Sequence, residues 1–141
     1  MALVARYLID TSATARMRHR LVAERLVPLI AAGLVATCAP LDFEALFSAR
    51  DPEDYEAIRS DRRIAYEYLP TLDEDWQRAF DVQRTLASRS QWRAVGMPDL
   101  LIAAIAERHD VTLLHYDADF DAVGQVTKQN AEWVVPRGAV P

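Results

Sequence analysis

The chain has 141 residues, a length that fits one domain able to bury a real core. Hydrophobic residues make up 51% and charged residues 26%, and no apolar run is long enough to cross a bilayer, so an ordinary globular domain is expected. The 21 acidic residues outnumber the 16 Lys and Arg, and the net charge of −5 argues against a general nucleic-acid coat protein.

The first predicted element is a strand over Ala2 to Ile9, a near-continuous apolar run of the kind buried on both faces. Asp10, Thr11 and Ser12 then offer capping side chains for a helix from about Ala13. A second helix is predicted from about Leu21 to Ala32, with Pro28 at a kink or restart and Gly33 as its stop. Leu34 to Ala39 reads as a short buried strand, and Pro40 opens a helix to about Ala49. Asp51-Pro52 marks a turn before a polar helix from Glu53 to Ala65, and Tyr66 to Leu69 is a short strand. Thr71 and Glu74 have capping-box spacing ahead of an amphipathic helix that carries Trp76, Phe80 and Leu86 and runs to about Ser90. Gln91 to Met97 reads as a loop. Pro98 opens a helix that is apolar almost all round through Ala106, hence central. Val111 to His115 is a strand, Asp117 starts a short helix, and Trp133 to Val135 is the last strand. Strands alternating with helices predict an α/β fold, a parallel sheet with helices on both faces. No internal repeat or linker interrupts the chain, so residues 1–141 are expected to form a single domain.

Cys38 is the only cysteine, which leaves no disulfide framework and no Cys-based zinc site; it reads as a small buried hydrophobe. Residues 1–10 lack the long apolar region and cleavage site of a secretion signal, so a cytoplasmic protein is expected.

Four carboxylates stand where strands end and helices begin: Asp10, Glu44, Asp99 and Asp117. Each has a structural alternative. Asp10 and Asp117 suit helix caps, and Asp99 suits the first turn of a helix, where the dipole favours an anion. Glu44 is harder to assign to structure, because it lies among Leu41, Phe43, Leu46 and Phe47 and shares a helical face with Leu41 and Phe47. In a parallel sheet the carboxyl ends of the strands lie along one edge. Carboxylates gathered there repel unless a cation holds them, and oxygen-only ligation selects Mg²⁺ or Mn²⁺ over zinc. Asp119 would bring the number to five if it shares the site, and four or five carboxylates suit either one ion or two.

Other chemistries fit less well. Asp117 to Asp121 begins like a calcium loop, but Ala122 stands where Gly is required and Lys128 where Glu is required. The four glycines form no phosphate-binding loop, and His19, His109 and His115 have no nucleophile-elbow context. His19 and His109 read as helix-surface residues and His115 as structural. Trp76, Trp92 and Trp133 read as core or interface. Arg16, Arg18, Arg20 and Arg25, then Arg59, Arg62 and Arg63, form groups suited to phosphate contacts or to local ion pairs.

The order Asp10-Thr11-Ser12, then Glu44, then Pro98-Asp99-Leu100-Leu101-Ile102-Ala103-Ala104, then Asp117-Ala118-Asp119-Phe120, resembles the PIN-domain family, and most closely the VapC toxins of type II toxin–antitoxin modules. The resemblance covers nearly the whole chain and is weakest over about residues 50–96. It implies a three-layer α/β/α fold with a central parallel sheet of four to five strands. It further implies Mg²⁺- or Mn²⁺-dependent endoribonuclease activity, an antitoxin partner and a homodimer. Carried over by position, Asp10, Glu44, Asp99 and Asp117 form the acidic set, Asp119 assists metal binding, and Ser12 or Thr11 supplies a supporting hydroxyl. Water activated by the ion would then attack the RNA phosphodiester. A PIN nuclease of RNA maturation that is not a toxin, and a non-catalytic binding protein, are the alternatives.

Overall fold

The computed structural model describes residues 3–141. Five short strands form one sheet in the order β3-β2-β1-β4-β5: β1 Tyr7–Ile9, β2 Val35–Cys38, β3 Glu67–Leu69, β4 Thr112–His115 and β5 Ala131–Trp133. Every pairing is parallel. The helices are α1 Thr11–Thr14, α2 Arg20–Ala31, α3 Ala39–Phe47, α4 Pro52–Ala65, α5 Asp73–Ser88, α6 Met97–His109 and α7 Asp119–Gly124.

Side chains alternate across the central strands, so the sheet is apolar on both faces. Leu8, Ala36 and Leu113 point to one face, where they meet Leu41 of α3 and Leu101, Ile102 and Ile105 of α6. Ile9, Val35 and Leu114 point to the other, against Ala13, Val22 and Leu26 of α1 and α2. These are the three layers expected from sequence. A further cluster seats Ala79, Val82 and Leu86 of α5 on the outer side of α6 through Leu100 and Ala103. Leu100 to Ala106 are consequently all buried, and α6 is the central helix of its layer.

Several element boundaries shift. The predicted start of the first strand at Ala2 lies outside the described residues, and the strand proper begins at Tyr7. Pro28 sits inside α2, which continues to Ala31 before Gly33 turns with φ +71°. The capping of α5 differs by one residue: Asp75, not Glu74, accepts the Leu72 N–H at 2.8 Å, and the Thr71 hydroxyl has no partner. The last strand is Ala131–Trp133 rather than Trp133–Val135, because Leu113 N–H reaches Asn130 O and so draws the preceding residues into register.

The strand order sets where a site can form. From β1 the chain adds β2 and β3 on one side and then crosses to add β4 and β5 on the other. The reversal opens a crevice at the carboxyl ends of β1 and β4, where open α/β sheets bind ligands.

Candidate active site

Asp10 directly follows β1 and its backbone N–H donates to Leu114 O of β4 at 2.9 Å, so it sits at that reversal. It caps α1: one carboxylate oxygen accepts the Ser12 N–H at 2.9 Å. The cap leaves the other oxygen unused. Asp10 is 4% exposed, and Oδ1 is buried without any partner. An orphaned buried carboxylate oxygen is costly unless something absent from the protein chain meets it.

Asp117 lies two residues past β4. Its N–H donates to His115 Nδ1 at 3.2 Å, and its Oδ1 accepts the Asp119 N–H at 2.9 Å, a local turn that starts α7. Asp99 occupies the first turn of α6, after Gly96 and Pro98. One carboxylate oxygen from each of Asp99, Asp117 and Asp119 lies within 4.8 Å of the other two. Burial, then the charges of Asp10 and Asp117 and more weakly those of Glu44 and Asp119, push the Asp99 carboxyl up to about 7. Burial and Asp117 also raise Asp119. Asp10 and Glu44 stand outside the closest triplet yet lie near enough for their charges to act on Asp99.

Glu44 reaches this region through Thr11, whose hydroxyl donates to its carboxylate at 2.5 Å. The face it shares is not the one expected. Leu41 and Leu46 are buried, but Phe47 is 93% exposed and Phe43 74% exposed, so Glu44 lies on the flank of α3 between core and solvent. Ser12 acts through both its backbone and its side chain. Its N–H goes to Asp10, and its Oγ accepts the Tyr116 N–H at 2.9 Å, which joins the two acid-bearing loops. Of the two hydroxyls expected to support an acid, Thr11 is the one that touches a carboxylate.

The donor set is entirely carboxylate oxygen, one member is orphaned, and the group nearest its neighbours resists ionisation without a counter-charge. These residues fit a hard divalent cation such as Mg²⁺ or Mn²⁺.

The family model described as the PIN domain matches residues 7–126, which takes in all five acids. The chain belongs to the PIN domain family. It is 43% identical over 136 residues to ribonuclease VapC21 of Mycobacterium tuberculosis, covering 96% of this chain and 99% of that protein. It is 39% identical over 135 residues to ribonuclease VapC51 of the same organism, covering 96% of this chain and 97% of that one. Among solved structures, the DNA-bound VapBC complex of Salmonella typhimurium matches with a TM-score of 0.74 at 14% identity, over 93% of this chain and 99% of that one. The FitAcB structure from Neisseria gonorrhoeae matches with a TM-score of 0.70 at 15% identity, over 91% and 97%. These distant likenesses support the PIN fold seen in the sheet order.

Outside the acids, the PIN domain meets some sequence expectations and departs from others. Of the two arginine groups, Arg20 pairs with Glu24, Arg25 with Glu132 and Arg62 with Asp42, while Arg16 donates to the Ser12 carbonyl. These four are spent within the fold, and Arg18, Arg59 and Arg63 have no such ion pair among the described residues. None of Trp76, Trp92 and Trp133 is buried. His115 is buried and packs on Phe120 and Trp133. A third basic segment lies outside those two groups: between Asp81 and Asp99 there is no acidic residue, while Arg84, Arg89 and Arg93 are present. The absence of acids over that span was the available signal.

A separate cavity of about 550 Å³ lies between α3 and α4, lined by Asp42, Phe43, Tyr55, Arg59, Arg62 and Tyr66 among others. Among the described residues no helix is long and apolar enough to cross a membrane.

Proposed function

We propose that this PIN domain is a cytoplasmic, divalent-metal-dependent endoribonuclease and the toxin of a type II toxin–antitoxin pair. The observation that carries the reading is the acidic crevice at the sheet reversal, with Asp99, Asp117 and Asp119 in one triplet and an orphaned oxygen on Asp10. Relatives named ribonucleases over nearly the whole chain supply the substrate class. All of residues 1–141 would act as one domain, with about 50–96 as its variable helical part.

Asp99, Asp117 and Asp119 would hold an Mg²⁺ or Mn²⁺ ion, with Asp10 and Glu44 completing the set. When bound, the ion lowers the pKa of water and offsets charge on the phosphate undergoing displacement. The chain's own contribution is positioning. Ser12 fixes Asp10 through its N–H and binds the Asp117 loop through its hydroxyl. Thr11 orients Glu44, and His115 holds the backbone of Asp117. The raised Asp99 carboxyl lets it accept a proton near neutrality in the metal-free state, so proton release accompanies metal loading.

A partner fits the same picture. Solved neighbours include a toxin–antitoxin complex from Klebsiella pneumoniae and a member of the VapBC family of toxin–antitoxin systems from Mycobacterium tuberculosis. Here α4 has no buried residue, exposed Phe43 and Tyr68 line the α3–α4 cavity, and exposed Phe47 lines a second hollow that shares Phe43, Leu46 and Tyr55 with it. An antitoxin covering that patch would remove apolar surface from water. A homodimer is proposed on family grounds.

The test is direct. Purified chain freed of antitoxin should cut single-stranded RNA with Mg²⁺ or Mn²⁺, and should stop in excess EDTA or as Asp99→Asn. Cleavage that persists in both conditions defeats the reading. Growth arrest on induction, relieved by a partner antitoxin, separates a toxin from an RNA-maturation nuclease.

A further inference from the structure

Trp92 is 45% exposed, and the guanidinium carbon of Arg93 lies 5.5 Å from the centroid of its ring. The pair sits on the segment between α5 and α6, seven residues before Asp99 in the sequence. That spacing caps their separation at about 25 Å even for a fully extended chain.

The segment is held firmly from beneath. Ser90 takes a left-handed φ of 58°, its N–H donates to Ala87 O, and Gln91 N–H donates to Leu86 O at 2.7 Å. Ala94 N–H closes a turn on Gln91 O at 3.0 Å. Val95, 3% exposed, plugs the loop into the cluster of Leu86, Leu100 and Val123, which ties it to α5, α6 and α7 together. Since α6 carries Asp99 and α7 begins at Asp119, the loop is fixed to the same two helices as the acids. A large indole left in water on a braced turn is a flat, pre-ordered surface, and it loses little entropy on binding.

The charges point the same way. The acids form a strongly negative crevice that a polyanion must approach. Arg89 and Arg93 are exposed, make no ion pair among the described residues, and have no acid near them in sequence. Aromatic faces interleaved with arginine bind single-stranded nucleic acid by stacking bases and meeting phosphates.

Resting on the nuclease reading above, we infer that Trp92 is a stacking platform for an unpaired base of the RNA substrate, with Arg93 and Arg89 contacting the adjoining phosphates. The surface binds the RNA strand flanking the scissile bond and favours unpaired over duplex substrate.

The probe is a fluorescein-labelled single-stranded oligoribonucleotide, read by anisotropy against full-length protein carrying Asp99→Asn. Trp92→Ala should weaken binding about tenfold, and Trp92→Phe, which keeps a flat ring, much less. Arg93→Ala should lower the slope of log affinity against log salt by about 0.7, the signature of one lost phosphate contact. In the Asp99-intact protein the loss from Trp92→Ala should fall mainly on KM. Unchanged affinity and salt slope in these variants, with divalent-dependent RNA cleavage intact, overturn the platform and leave the nuclease standing. Wild-type chain that neither binds nor cuts RNA overturns both. Trp92→Ala that spares RNA affinity but weakens antitoxin capture makes the loop a protein contact and overturns the RNA assignment.

Discussion

The Tyr116 backbone N–H donates to Ser12 Oγ at 2.9 Å, and this bond ties the loop after β4 to the first turn of α1, just past β1. Because Ser12 N–H also holds Asp10, a single residue sets the spacing of Asp10 and Asp117 across the sheet reversal. Thr11 does the parallel task for Glu44.

Ser12→Ala should therefore do two things. It leaves the Tyr116 N–H without its partner, a cost of about 1–2 kcal/mol read as a lower melting temperature. It also loosens the Asp117 loop, so Mn²⁺ affinity by calorimetry should fall about tenfold, within the range for residues that support metal ligands. Thr11→Val keeps the shape and removes only the donor to Glu44; it should weaken metal binding with a smaller effect on melting. Equal Mn²⁺ affinity in both variants and wild type would show that neither hydroxyl positions an acid.

The Asp75–Arg108 ion pair shows what a purely structural acid looks like in this chain. Asp75 is 1% exposed and receives Arg108 Nε at 2.7 Å, Arg108 Nη2 at 3.0 Å and the Leu72 N–H at 2.8 Å. Both of its carboxylate oxygens accept hydrogen bonds, in contrast to Asp10. Arg108→Ala strands that buried carboxylate and should cost about 3 kcal/mol in urea unfolding. Since Arg108 lies at the opposite end of α6 from Asp99, the stabilisation by Mn²⁺ should be unchanged. A reduced Mn²⁺ effect would mean the two ends of the helix are coupled.

The contrast explains what the sequence could disclose. Continuous apolar runs such as Leu8-Ile9 and Leu113-Leu114 alternate between two covered faces, so the parallel sheet was legible. Asp10, Asp99 and Asp117 stand out in the sequence because they follow a strand end or open a helix, whereas Glu44 lies in the middle of α3 and stands out only as a charge among apolar neighbours. What each hydroxyl does was not legible, because Ser12 and Thr11 are adjacent and only the turn into α1 separates their directions. The exposure of Phe43 and Phe47 was hidden for a similar reason: an apolar helix face looks the same whether a core or a partner covers it. The Thr71–Glu74 cap failed because Thr71 and Leu72 differ by one step of backbone, and Asp75 competes for the same N–H. Trp92 gave no pattern at all, since a single aromatic in a loop has no period to read.

Cys38 offers a check on the core. It ends β2, is fully buried, and burial pushes its thiol up to about 12, with Asp42 adding to the rise and a backbone bond from Leu41 opposing it. The thiolate population at pH 8 is then negligible, and the native protein should resist iodoacetamide. Labelling should appear only as the protein unfolds in urea, with the same midpoint as circular dichroism. Fast labelling of the folded protein would show that β2 opens locally.

The Asp99 carboxyl gives the metal-free protein a pH dependence whose sign can be worked out. Its folded-state value is raised from 3.8 to about 7 by burial first and neighbouring carboxylates second. Below 3.8 the group is protonated in both folded and unfolded chains and makes no difference. Between 3.8 and about 7 the unfolded chain releases the proton while the folded one keeps it, so stability falls as pH rises through that window and levels off above it. Asp119, raised in the same direction, adds to the slope. Solvent screening of this partly open site limits the net loss to about 1–2 kcal/mol, or about 5 °C in melting temperature. Mn²⁺ reverses the trend, because it binds the deprotonated carboxylates and stabilises the native state by mass action, so its stabilising shift should be larger at pH 8 than at pH 5. Asp99→Asn should flatten the metal-free profile and lose most of the Mn²⁺ shift. A metal-free protein whose stability rises from pH 4 to 7, with the Asn variant following the same curve, would show that Asp99 does not sit in a field of like charge.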